Sequence, residues 1–153
     1  MADITIFDRL KQDHDAHRQL FDKMAKAESD DQLEKLFAQF AVEVTAHAAA
    51  EEEPLYATML SRPDLREDAQ HSVSEHKEID DYLEELDGLK FNGEAWRKKF
   101  AEMKKRYLHH IEEEEEEMFP TAAKDLTADE EKKLGALFAK RKPAELERAQ
   151  AEE

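Results

Sequence analysis

Phe7, Leu10, His14, His17, Phe21 and Met24 follow one another at intervals of three and four, and the same spacing recurs in three further long stretches. Residues so spaced share one face of an α-helix, so each stretch must bury a stripe against another element. The first helix is predicted over about 4–27. The second stripe reads Leu33, Phe37, Phe40, Val44, His47, Glu51 and Leu55, and its period reaches Met59 past Pro54. The third, over about 65–89, presents Ser72, His76, Ile79, Leu83 and Leu86. The fourth, over about 94–119, presents Trp96, Phe100, Met103, Tyr107, His110, Glu114 and Met118, with Pro120 as its stop. Ser29-Asp30-Asp31, Pro63 and Asn92-Gly93 supply the breaks between them. Helices of this length joined by short polar links predict an all-α, up-down antiparallel four-helix bundle. Thr127-Ala-Asp-Glu130 is a capping box that opens a short additional C-terminal helix, to about Lys142, packed outside the bundle. Beyond Pro143 the polar run is either helical or frayed.

The 153 residues are expected to form one domain, with the bundle in 4–120 and the C-terminal extension in 127–153. Such a chain is long enough to bury a core without disulfides or a structural metal. It contains no cysteine, which excludes disulfides, thiolate metal sites and cysteine nucleophiles. The formal net charge of −16 argues against nucleic acid and anionic membrane surfaces as partners. Met-Ala-Asp-Ile-Thr-Ile-Phe at the start has neither a basic segment nor a long apolar run. No secretory signal or membrane span is therefore expected, and the expected location is the cytoplasm.

Five of the seven histidines (His14, His17, His47, His76 and His110) interrupt stripes otherwise made of Phe, Leu, Met and Val. In an up-down arrangement all five fall at one depth. Glu51 and Glu114 join them, each four residues after a histidine and therefore on the same helix face. The two segments repeat one pattern, HxxxE with an aromatic, Tyr56 or Phe119, nine positions after the histidine. A carboxylate buried there without a partner would be severely destabilising. Most of the run Glu112 to Glu117 reads as a solvated face, with Glu115 a weaker candidate than Glu114. His71 and His109 sit beside the stripes and read as exposed, His71 alternatively as supporting a ligand.

Imidazoles and carboxylates without thiolates suit iron, manganese or zinc. Carboxylates arriving from two helices can bridge two cations, leaving positions for water, oxo, dioxygen or peroxide. The competing readings are an acidic helical interaction module whose polar core only fixes helix register, and a site filled by zinc.

These residues resemble the hemerythrin-like, HHE cation-binding family, whose pattern is a histidine in the first helix, HxxxE in the second, a histidine in the third and HxxxE in the fourth. The resemblance covers about 4–120 and implies a centre of two iron ions with a bridging oxo, hydroxo or water. It implies as metal ligands His14 or His17, His47, Glu51, His76, His110 and Glu114. Asp13-His14 matches the family pattern at the first position, whereas His17-Arg-Gln-Leu20-Phe21 is similar to the invertebrate oxygen carriers. Those carriers have a second histidine four residues before the third-helix ligand, where this chain has Ser72, and an aspartate where it has Glu115. The departure points away from reversible oxygen carriage and towards handling or sensing of oxygen, peroxide, nitric oxide or iron. The implied partner is a small diatomic or peroxide. Whether the chain is an enzyme or a binding protein stays open at this level.

Overall fold

The computed structural model describes residues 4–151. Met1-Ala2-Asp3, on which part of the signal-sequence reading rests, and the terminal Glu152-Glu153 lie outside the described residues. Helix α1 spans Ile6–Ala25, α2 Asp30–Glu51, α3 Ala57–Leu60, α4 Arg66–Asp87, α5 Glu94–Glu113, α6 Phe119–Asp125 and α7 Ala128–Ala151. Two five-residue π-helical segments, Glu52–Tyr56 and Glu114–Met118, join α2 to α3 and α5 to α6. The N-terminal caps of α1 and α2 follow the sequence: Thr5 Oγ1 accepts from the Asp8 amide at 3.2 Å, and Ser29 Oγ from that of Gln32 at 3.1 Å. Thr127 and Glu130 cap each other reciprocally, as the capping box requires.

The bundle core is divided into two apolar plugs with a polar layer between them. Along α1, Ile6, Phe7 and Leu10 belong to one plug and Leu20, Phe21 and Met24 to the other, with His14 and His17 in between. Along α2, Phe40 and Val44 lie on the far side of His47 and Glu51 from Leu55 and Tyr56. Helix α4 places Ala69 in one plug and Ile79 and Leu86 in the other, with Ser72, Glu75 and His76 at the middle. Helix α5 brings Trp96, Met103, Tyr107 and Ile111 up to His110 and Glu114, and Met118 and Phe119 continue beyond. Water is thus excluded from both ends of the layer.

Two sequence expectations need correction. Pro120 does not end the fourth helix, since the chain stays helical to Asp125. The preceding π segment skips one step of the hydrogen-bond ladder, and a proline at the start of the next turn has no bond to lose. Pro54 lies inside the other π segment for the same reason. The C-terminal helix is not short: α7 runs 24 residues through Pro143, held past it by the buried Glu145 and Ala149. It packs along both α1 and α2. Gly135 makes that approach possible, since a Cβ there would lie 2.8 Å from the Ile4 carbonyl oxygen and 2.9 Å from the Ile6 nitrogen.

Candidate metal centre

The helices bring His14, His17, His47, Glu51, His76, His110 and Glu114 into one layer, all of them buried. Within it, ligand-type atoms of Glu51, His76, His110 and Glu114 lie within 4.8 Å of one another, and so do those of His14, His47 and Glu51. Glu51 belongs to both groups. His76 Nε2 is 3.1 Å from Glu51 Oε1 and 3.8 Å from Glu114 Oε1, and His110 Nε2 contacts Glu114 Oε1 directly. The His14 and His47 rings are 5.0 Å apart and those of His76 and His110 4.9 Å.

Each of these four rings is oriented from behind by a carboxylate at Nδ1. His14 meets Glu115 at 2.8 Å, His47 meets Asp13 at 2.8 Å, His76 meets Glu52 at 3.1 Å and His110 meets Glu75 at 3.0 Å. An ionised carboxylate can only accept, so Nδ1 carries the proton and donates, and Nε2 is aimed into the layer. This is the support that metal-binding imidazoles ordinarily have. His17 differs, because its Nδ1 lies 2.7 Å from the Tyr107 hydroxyl, which can donate or accept. Its ring is 5.2 Å from that of His47, beside the His14, His47 and Glu51 group and outside it.

Inside the layer, Nε2 of His14, His17 and His47 and Oε2 of Glu51 and Glu114 are buried with no hydrogen-bond partner. Leaving one such atom unmet costs about 1–3 kcal/mol, and natural cores rarely keep several together. A network built only to fix helix register would satisfy its members. Five converging lone pairs, on imidazole and carboxylate, fit cations instead.

A family model described as the hemerythrin HHE cation-binding domain matches residues 5–122. The chain belongs to that family. Its buried histidine and glutamate layer has the chemistry of a metal-cation site. A hemerythrin HHE cation-binding domain-containing protein of Mycobacterium kansasii has a similar fold, with a TM-score of 0.84 at 22% identity, over 97% of this chain and 91% of that one. A DNA nickase of Nostoc sp. is 24% identical over 136 residues, which are 89% of this chain and 38% of the nickase. The chain thus spans well under half the length of that relative.

The two halves of this hemerythrin-type layer differ electrostatically. Burial pushes the His47 imidazole down to about 4, although Asp13 pulls the other way, and burial likewise holds His17 well below the ordinary range. Burial would also lower His110, but Glu114 and Glu75 outweigh it and carry it up to about 9. His76 is raised against burial by Glu114, Glu51 and Glu52. Of the two central carboxylates, burial and the charge of Glu114 push Glu51 up. Glu114 is depressed, because His110 and His76 outweigh its burial. Without a cation, then, His47 and His17 are neutral, while His76 and His110 hold protons against the neighbouring carboxylates.

Several residues at the site were not singled out from sequence. Asp13, Glu52 and Glu75 lie on helix faces rich in charge, and nothing in their spacing separates them from solvated neighbours. Glu115, the weaker ligand candidate, turns instead to His14 Nδ1 and Arg18. Tyr56 belongs to the layer as well: its hydroxyl donates to Glu51 Oε1 at 2.7 Å and reaches Glu114 Oε1 at 3.2 Å. Lys142 of α7 holds Asp13 Oδ2 at 2.6 Å, so the C-terminal helix reaches the back of His47. His71 and His109 are largely exposed, at 55% and 64% of the side chain, and each pairs with Glu113. Ser72 is buried and donates to Met118 Sδ at 2.9 Å.

Proposed function

We propose that the layer holds two iron ions and that the protein handles or senses a small oxygen or nitrogen species: dioxygen, peroxide or nitric oxide. The observation that carries the reading is the sharing of Glu51 between two donor groups whose inward atoms lack partners. In this reading His14 and His47 serve one ion, His76 and His110 the other, and Glu51 and Glu114 lie between. His17, held by Tyr107, is a further donor beside the first ion. The iron pair would supply redox chemistry and open coordination positions that side chains lack.

The chain's own contribution is orientation, exclusion and proton placement. Asp13, Glu52, Glu75 and Glu115 fix the rings, and the two apolar plugs close both ends of the layer to bulk water. The Tyr56 hydroxyl is a neutral proton donor within reach of both central carboxylates, and burial with their charges holds its proton firmly. The missing histidine at Ser72 favours reaction or sensing over reversible oxygen carriage. We read 1–153 as one functional domain acting in the cytoplasm, consistent with the absence of cysteine. No described helix is long and apolar enough to cross a membrane. A net charge of −16 weighs against transfer of DNA nicking to this chain.

The test is elemental analysis and the optical spectrum of protein purified after iron supplementation. Two irons per chain with the absorption of an oxo-bridged ferric pair are expected, and loss of metal in both His47→Ala and His110→Ala. Substoichiometric iron after anaerobic loading would sink the reading. Turnover with hydrogen peroxide and nitric oxide, set against reversible oxygen spectra, separates enzyme from carrier.

A further inference from the structure

A cavity of about 240 Å³ opens between α4 and the end of α5, and its wall includes Glu114 of the metal layer. Five carboxylates line it, those of Asp68, Glu75, Glu113, Glu114 and Glu117, and no lysine or arginine does. At its rim stands a second donor group, His71, Glu75 and Glu113, whose ligand-type atoms also lie within 4.8 Å of one another. His71 Nε2 is 3.3 Å from Glu75 Oε1 and 3.2 Å from Glu113 Oε1, and His109 Nε2 approaches Glu113 Oε2 at 3.4 Å from the solvent side. Glu75 connects outside to inside, because the oxygen facing His71 also accepts from His110 Nδ1. On the inner wall, Glu114 is buried and its Oε2 has no partner, an unmet acceptor at the end of the passage.

The cavity exists where α4 carries Ser72, a small side chain on a stripe of larger ones. Negative charge focused in a narrow mouth raises the local concentration of cations and their rate of entry. One imidazole and two carboxylates, half open to water, make a weak and exchangeable set for a divalent transition ion. These features are what an entry port needs, and a permanent site would be more enclosed.

We propose that His71, Glu75 and Glu113 form an outer divalent-cation site through which metal enters the buried layer by way of Glu114. The proposal rests on the paired-metal reading above. A cation arriving at the rim exchanges part of its water for His71 and Glu113, then passes along the carboxylate wall. Asp68 and Glu117 hold the charge of the passage in balance while it moves.

The test is stopped-flow uptake of Co(II) by metal-free protein, followed through the visible absorbance of the bound ion. The variants are His71→Ala and Glu113→Gln, singly and together, leaving Glu75 intact because it supports His110. Glu116→Gln removes the same charge from an exposed position outside the cavity and serves as the control. The double variant should fill tenfold or more slowly, with the same final two equivalents, and the control should fill at the wild-type rate. Uptake within twofold of wild type in the double variant would overturn the port. So would equal slowing in the control, which would reduce the effect to net charge. If wild-type protein never takes up two equivalents, the paired-metal reading fails first and the port falls with it.

Discussion

Raising the pH from 7 to 9 should tighten metal binding more in the half held by His76 and His110 than in the half held by His14 and His47, because Glu51, raised to about 8, serves both halves whereas His110 serves one. His47 titrates at about 4 and its Nε2 has no partner, so at pH 7 it is neutral and ready to coordinate. His110 titrates at about 9, with a proton held towards Glu114, and a cation must displace that proton. With a pKa of about 9, roughly 1% of His110 is neutral at pH 7 and about half at pH 9. The apparent affinity of that half therefore rises about fiftyfold, equivalent to ~2.3 kcal/mol. His76, also raised, steepens the trend. The same proton affects the metal-free fold in the opposite sense. Its folded pKa of about 9 exceeds the unfolded value of about 6.5, so its stabilisation is full below pH 6.5 and is lost as pH rises through 9. Competition between the protein and a chelator for Co(II) at pH 7, 8 and 9 measures the affinities. Proton release in weakly buffered solution counts the displaced protons. Equal pH slopes for the two equivalents, or no proton release on filling the second at pH 7, would refute the asymmetry.

Lys142→Met removes the contact that holds Asp13 behind His47. Chelator competition should show a loss of about 10–100-fold for one equivalent, with far-UV circular dichroism unchanged. Gly135→Ala pushes a Cβ to within 2.8 Å of the Ile4 carbonyl oxygen, and overpacking of this kind costs about 1–3 kcal/mol. The melting temperature should fall, and an unchanged one would mean that α7 does not lie so close to α1. Leu10→Ala empties a fully buried position in the plug next to His14 and should cost about 2–5 kcal/mol in urea unfolding while metal stoichiometry stays the same.

The all-helical bundle and the two HxxxE pairs were legible from the chain alone. Both follow from the period of the helix, which puts residues three and four apart on one face. The five histidines on those stripes could be placed at one depth by counting residues along antiparallel helices. The ends of helices were less legible. Whether Pro120 and Pro143 stop a helix depends on a π segment in one case and on the burial of Glu145 and Ala149 in the other. Both are tertiary facts.

Tertiary structure also decided the order among similar residues. Asp13, Asp15 and Asp22 look alike along α1, yet of the three only Asp13 is clamped between His47 of α2 and Lys142 of α7. His14 and His17 are equally good candidates by spacing, and only the packed helices put His14 against Glu115 and His17 against Tyr107. The sequence by itself determined that buried imidazoles and carboxylates would converge between four helices, because that requires only helical periodicity and the cost of burying charge. Which carboxylate supports which ring, which half of the layer keeps its protons and where the layer opens to solvent depend on contacts between distant segments. Those contacts are set by how the helices pack, and spacing along one helix carries no record of them.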